Sequence, residues 1–334
     1  MIKEIIEKLC NKNDLDEEEI NFFFSSMMKG EMTDSQSSAF LIALKIKEPS
    51  SEEIFHSAKI LLSNLEESVD TDLDIIDLCG TGGDSKSTLN VSTISSLILA
   101  TLGAKVAKHG NRSVSSRVGS ADLIESLNIP LDDSIESAIN SIENNNLSFL
   151  FAPYFHKSMK NVAHVRQQLE TRTIFNILGP LVNPLRPKKQ IVGVYDKKLI
   201  PSVAQALVRQ GVTRGMVIHG LDGMDEVSIC DNTFISEINN GEIKDYVFNP
   251  REYGFELADL ANLVVNSVEE SKDICIKILK NEIKDSKRDI CILNAGAAAY
   301  IYGLSDSLQG GFDIVKSNLE NGTVFDRLDE IFNF

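Results

Sequence analysis

No run of apolar residues in this sequence approaches the roughly 18–20 that a helix needs to span a bilayer, so no membrane-spanning helix is expected. From Met1 to Cys10 charged and apolar side chains interleave, and the uninterrupted apolar stretch of a secretory signal is missing. The expected location is therefore the cytoplasm. Cysteine is scarce: Cys10, Cys79, Cys230, Cys275 and Cys291 are odd in number and form no C-x-x-C pair. That excludes a disulfide framework and a cysteine zinc site as working ideas. With 8 prolines and 43% apolar residues, the composition is that of a chain with a packed core, not a disordered one. Cations are in deficit, 33 Lys and Arg against 49 Asp and Glu, for a net charge of −16. Such a charge opposes nonspecific binding of nucleic acid, and no nucleic-acid partner is expected. A small anionic ligand remains open, provided the cations gather locally.

At 334 residues the chain exceeds what one core commonly serves, so one large and one small domain are expected. The stretch to about Leu65 reads as helices only. Asp14 caps a helix through Ile20, Phe23, Phe24 and Met27 that stops at Gly30; Thr33 with Gln36 forms a capping box; Ser51 opens a third helix. Near Asp72 the pattern changes to short apolar runs alternating with helical ones. Strands are expected at Asp74–Cys79, Lys105–Ala107, Ser148–Phe151, Ile191–Val194 and Met216–His219, with helices at Leu89–Leu102, Ile135–Glu143 and Ile200–Gln210 between them. Asn239-Asn-Gly241 reads as a hairpin turn. The fold class is thus a small N-terminal helical domain over 1–70 and a larger α/β domain over 71–334 with a mainly parallel central sheet.

Chemistry gathers where strands give way to turns. Gly80-Thr-Gly-Gly-Asp84 follows the first strand, where glycines let backbone N–H groups approach an anion. It is neither a P-loop nor a G-x-G-x-x-G fingerprint, and a plain strand-to-helix turn explains it equally well in isolation. Asn90-Val-Ser-Thr93 sets small polar side chains at a helix start, as caps or as phosphate ligands. Lys108-His-Gly-Asn-Arg112, read as a loop after the second strand, runs into Ser113, Ser115, Ser116, Arg117 and Ser120. This is the local cationic cluster that an anionic ligand requires, and it suits a diphosphate. His156 and Arg166 precede the shaped segment Thr171–Pro184, and a guanidinium there would suit a carboxylate. Asp225 and Glu226 lie in a glycine loop after the last parallel strand, where adjacent acids can share a magnesium ion with phosphate oxygens.

In this order, GTGGD, NVST, KHGNR-x-VSS-x-x-GSAD, TRTIFN-x-LGPL-x-NP and DG-x-DE-x-S resemble the anthranilate phosphoribosyltransferase family. The resemblance covers essentially the whole chain, including Gly30-Glu-Met-Thr-Asp34. It implies a helical domain hinged to the α/β domain, with part of 155–184 returning to the helical side. It also implies a homodimer through the helical domain, magnesium as cofactor, and transfer of phosphoribosyl from phosphoribosyl pyrophosphate to anthranilate in tryptophan biosynthesis. By the same resemblance, Gly80, Gly83, Asp84, Thr88, Asn90, Val91, Ser92, Thr93, Lys108, His109, Gly110, Asn111, Arg112, Ser113, Val114, Ser115, Ser116 and Ser120 contact phosphoribosyl pyrophosphate. Gly80, Asn111 and Arg166 contact anthranilate, with His109 and His156 along its approach; Ser92, Asp225 and Glu226 hold magnesium.

No residue is assigned as a general base. Anthranilate's amine is nearly non-basic and attacks without first losing a proton, so the resemblance implies catalysis by positioning and by stabilised leaving-group charge. Two positions depart from the family pattern. Lys157-Ser158 stands where Pro-Ala is usual, and Glu170 where Gly is usual. A pyrimidine nucleoside phosphorylase shares this architecture but has different glycine loops.

Overall fold

The helices of the N-terminal stretch begin where the chain supplies its own caps. In the computed structural model, which describes residues 1–66, 71–82, 86–112 and 117–334, they are α1 (Ile2–Cys10), α2 (Glu17–Lys29), α3 (Asp34–Lys47) and α4 (Ser51–Ser63). Thr33 with Gln36 and Ser50 with Glu53 close reciprocal capping boxes on α3 and α4. The cap of α2 is Asp16 with Glu19, two residues later than the sequence pattern suggests. Leu15 is the reason. It is buried, and its N–H donates to Glu53 Oε1 at 2.9 Å, which holds the chain non-helical two residues longer. Asp14 pairs with Lys47 instead. Gly30 ends α2 at φ 75°, as expected of a C-cap glycine.

Phe23 and Phe40 stack with centroids 3.9 Å apart, and Phe24 meets Phe40 edge-on at 5.7 Å. All three are fully buried, each contributing about 1.5–3 kcal/mol relative to an exposed ring.

The body follows as β1 (Ile75–Gly80), α5 (Val91–Thr101), β2 (Lys105–Gly110), α6 (Ser120–Ser126), α7 (Ile135–Asn145) and β3 (Leu147–Phe151). Next come α8 (Ala152–Phe155), α9 (Lys160–Leu169), α10 (Ile174–Leu178), β4 (Lys189–Gly193), α11 (Ile200–Arg209) and β5 (Arg214–Gly220). The chain ends through β6 (Thr233–Asn239), β7 (Glu242–Phe248), α12 (Val268–Leu279), α13 (Ser286–Tyr302), α14 (Leu308–Glu320) and α15 (Thr323–Phe332). The strands form one seven-stranded sheet in the order β3-β2-β1-β4-β5-β6-β7. β1 to β5 pair parallel, and β6 and β7 add an antiparallel edge. The hairpin turn is Asn240-Gly241, both at positive φ (49° and 88°), as a tight two-residue turn demands.

Alternation along β5 sorts the two faces. Met216 and Ile218 pack with α5 and α13, while Val217 packs with α11 and the N-terminal helices. α9 lies against α2 and α3, and α10 against α3 and α4. Phe175 of α10 approaches Phe24 at 5.9 Å, so a distant stretch of chain completes the helical layer.

Candidate active site

The strand order reverses between β1 and β4, and at such a switch point the carboxyl ends of the strands open a crevice. Gly80 ends β1 and Gly193 ends β4, side by side in register. Both must be glycine for one reason: a Cβ on either would fall onto Asp225, which the next loop lays across them. Asp225 Oδ2 accepts from Gly82 N at 2.8 Å, and Glu226 Oε1 accepts from Ser92 N at 3.2 Å, in the first turn of α5. The loop that carries the acids is tied to itself, Ser228 Oγ donating to Asp222 Oδ2 at 2.6 Å. It is also clamped from behind. Asn294, buried on α13, accepts from Val227 N and donates to Val227 O, both at 2.9 Å. Nothing in the motif reading pointed to Asn294; a buried asparagine in an alanine-rich helix was the available signal.

Lys108, His109 and Gly110 belong to β2, paired with Phe149, Leu150 and Phe151 of β3, and so are not the loop the sequence suggested. Three further ladder pairs with β3 outweigh the polar character of the segment. Lys108 is consequently buried, donating to Leu78 O at 2.6 Å and to Ser92 Oγ at 3.3 Å. Arg112 is already paired, through Asp122 at 2.8 Å and Glu125 at 2.6 Å, and Arg117 donates to Asn266. The cationic cluster is thus less free than its sequence implies. Asn90 stands at the N-cap of α5 without capping it; its side chain donates to Val118 O and accepts from Ser271.

Leu178, Gly179, Pro180 and Val182 form a further wall, and side chains take the carbonyls of residues 179–182 one after another. His109 Nδ1–H donates to Gly179 O at 3.1 Å and His156 Nε2–H to Val182 O at 2.9 Å. Between them Gln190 donates to Pro180 O and Gln210 to Leu181 O, both at 3.1 Å. The two imidazoles meet edge-on at 5.4 Å. Burial pulls His109 down to about 3 and His156 to about 4, so both are neutral near pH 7. Arg166 lies over the Phe175 ring at 5.4 Å, with burial lowering its pKa. Among the described residues it has no acidic partner.

These groups surround one cavity of about 580 Å³. Its lining includes Gly80, Thr88, Asn90, Val91, Ser92, Thr93, Lys108, His109, Gly110, Asn111, Arg112, Ser120, His156, Arg166, Asp225 and Glu226, all singled out from sequence. Gly83, Asp84, Ser113, Val114, Ser115 and Ser116 lie outside the described residues. Met159, Lys160, Asn176 and Pro180 also line it and were not singled out. Of the departures from the family pattern, Lys157 lines the cavity and pairs with Glu66 at 2.6 Å, whereas Glu170 sits at the left-handed cap of α9 with φ 45°. Among the described residues no three His, Cys, Asp or Glu side chains converge as a metal cage. The Asp225 and Glu226 carboxylates and the Ser92 hydroxyl line the same cavity, and as hard oxygen donors they fit a cation sharing its shell with a bound ligand.

Two sequence models of the glycosyl transferase family match the chain: the helical bundle domain over residues 3–64 and the a/b domain over 72–325. Anthranilate phosphoribosyltransferase of Persephonella marina is 42% identical over 332 residues, covering 99% of this chain and 98% of that protein. The crystal structure of anthranilate phosphoribosyltransferase from Thermus thermophilus superposes with a TM-score of 0.90 at 34% identity, over 98% of this chain and 97% of that one. The Saccharomyces cerevisiae enzyme of that name, in complex with PRPP and Mg, gives a TM-score of 0.89 at 25% identity, over 99% and 97% of the two chains.

Proposed function

The chain belongs to the glycosyl transferase family, and from that premise we propose that it transfers the phosphoribosyl group of phosphoribosyl pyrophosphate to anthranilate, releasing diphosphate, in tryptophan biosynthesis. One observation carries this reading. The Gly80 turn, the α5 start, Lys108 and the Asp225-Glu226 pair line one cavity together with Arg166, which has no acidic partner among the described residues. An anionic diphosphate with its cation suits the first set of groups, and an aromatic carboxylate suits Arg166.

The residues divide the work. The Gly80 turn, the small polar side chains at the start of α5 and the Lys108 ammonium serve the diphosphate, with Gly83, Asp84 and the Ser113–Ser116 stretch read as further contacts, while the Gly82 and Ser92 N–H groups hold Asp225 and Glu226 in place. Ser92, Asp225 and Glu226 would hold magnesium, which when bound neutralises charge on the diphosphate as it leaves. Arg166 takes the anthranilate carboxylate in a fork that also fixes the ring against the Gly179–Val182 wall. The C1–N bond forms from the amine lone pair as the C1–O bond to diphosphate breaks, and the nitrogen, now cationic and strongly acidic, gives one proton to solvent water. His109 and His156, neutral and committed to carbonyls, hold the wall in place. No general base is needed for attack by so weakly basic an amine. A helical domain over 1–70 joined by part of 155–184, a homodimer through that domain, and a cytoplasmic location belong to the same reading.

The test is loss of anthranilate fluorescence in the presence of phosphoribosyl pyrophosphate and magnesium, run beside thymidine or uridine with phosphate. Turnover of the nucleosides alone would overturn the proposal in favour of a phosphorylase.

A further inference from the structure

Adjacent parallel strands ordinarily run about 4.8 Å apart, joined by evenly spaced main-chain bonds. Here β2 stays paired with β3 to Gly110, and β1 with β4 to Gly80. Between β1 and β2, however, the ladder among the described residues is Ile75 with Lys105 and Ile76 with Val106, and no further. Beyond it the two strands part, and the residues at their carboxyl ends, Cys79 to Gly82 and Lys108 to Arg112, line the cavity. Buried main-chain groups left in such a gap must find partners. Three side chains supply them. Asp77 Oδ1 accepts from His109 N at 3.1 Å, Lys108 Nζ donates to Leu78 O at 2.6 Å, and Asn183 Nδ2 donates to Ala107 O at 2.8 Å. Asn183 Nδ2 also donates to Asp77 Oδ2 at 2.9 Å, while its Oδ1 accepts from Leu185 N at 3.0 Å and so fixes which way the amide points.

We propose that Asp77 and Asn183 are positioning residues, a buried side-chain bridge that holds β1 and β2 apart at their carboxyl ends and thereby sets the separation of the Gly80 and Asn111 turns that bind phosphoribosyl pyrophosphate. The inference rests on the proposed function and gives the L-G-P-L-x-N-P segment its task. A satisfied core carboxylate is the plainer account of Asp77. Against it stands the cost: Asp77 is wholly buried and Asn183 nearly so, and burial lifts the Asp77 carboxyl to about 6 despite Lys108 nearby. An unbroken ladder with apolar side chains would bury the same strands without a charge. The stability forgone is confined to the two strand ends whose turns face the ligand.

Asp77→Asn keeps the shape and the acceptor for His109 N but sets one N–H2 group against another. Asn183→Ala removes the bridge. In steady-state kinetics well below each variant's melting temperature, the KM for phosphoribosyl pyrophosphate should rise about tenfold in both, the effect of one charged hydrogen bond, with a smaller change for anthranilate. Exchanging the pair, Asp77→Asn with Asn183→Asp, restores the contact between residues 77 and 183 but not the bond to Ala107 O, and should recover only a small part of that loss. If Asp77→Asn does not fold, Asn183→Ala carries the same reading. Calorimetric titration with inorganic diphosphate and magnesium reads the separation without turnover, so failure of the proposed function and failure of this inference are told apart. Lower melting temperatures with unchanged KM values and unchanged diphosphate affinity would overturn it.

Discussion

The N-terminal helices and the carboxyl edge of the sheet settle their polar groups in opposite ways. In the helices the partner is next door: Asp16 with Glu19, Thr33 with Gln36 and Ser50 with Glu53 each close a helix start within one turn. At the sheet edge the partner is far along the chain. Gly82 meets Asp225 across 143 residues, Ser92 meets Glu226 across 134, and Asp77 meets Asn183 across 106. Closure by neighbours makes a helix start that tolerates change elsewhere. Closure at long range makes a site whose geometry exists only when the whole α/β body is folded. Stability and site geometry should therefore respond to different substitutions.

The largest expected effect is at the sheet edge. Asp225→Asn with Glu226→Gln should lower turnover about a hundredfold or more, the scale of lost preorganised charge, and flatten the magnesium dependence while the melting temperature holds. A double variant with normal activity across a magnesium titration would remove the two acids from the site.

The converse experiment perturbs the helical layer. Lys47 and Glu53 form an ion pair at 2.7 Å with side chains 3% and 1% exposed. Glu53→Ala leaves the buried Lys47 ammonium with Asp14 alone, strands the Leu15 N–H and opens the α4 capping box, and should cost about 3 kcal/mol in denaturant titrations with both KM values unchanged. Altered KM values would mean that the two regions are coupled after all.

Arg166→Ala joins the regions, since the residue stands on α9 against the helical layer yet faces the cavity. It should raise the KM for anthranilate by the equivalent of about 1.5–3 kcal/mol and leave that for phosphoribosyl pyrophosphate nearly unchanged. Equal effects on both would displace the carboxylate from Arg166.

Acidification sharpens the contrast by sign. His109 and His156, depressed to about 3 and about 4, bind fewer protons folded than unfolded, so their contribution is full above about 6.5 and is lost as pH falls toward 4, at most about 1.4 kcal/mol per pH unit for each. Asp77, raised to about 6, runs the other way between about 4 and 6 and offsets one of them. Thermal melts against pH should accordingly show a steeper acid loss in Asp77→Asn than in the unaltered protein. An equal slope would mean that Asp77 binds protons alike in the folded and unfolded chain.

The smallest effect returns to local closure. Glu170 occupies the left-handed cap of α9 at φ 45°, where glycine has no Cβ penalty. Glu170→Gly should raise stability by about 1 kcal/mol or less, read as a small upward shift in melting temperature. A drop would show that the Glu170 side chain contributes more than its backbone costs.

By itself the sequence determined what is periodic and what is local. Gly30, Thr33 with Gln36 and Asn240-Gly241 announced a helix stop, a helix start and a hairpin, because each acts within a turn of chain. Short apolar runs between helical patterns announced the parallel strands, and the glycine, lysine and acid motifs fell on residues that line the cavity. Two local readings slipped. The first cap moved from Asp14 to Asp16 because Leu15 bonds Glu53 on another helix, and Lys108 became a buried strand residue because β3 extends its pairing. Both were decided by partners that no nearby residue reveals. The tertiary structure alone decided that Asn294 clamps the acid loop, that Arg112 is held by Asp122 and Glu125, and that β1 parts from β2 over Asp77. Burial forces each of those polar groups to find a partner, and which partner is within reach is fixed by how the layers pack.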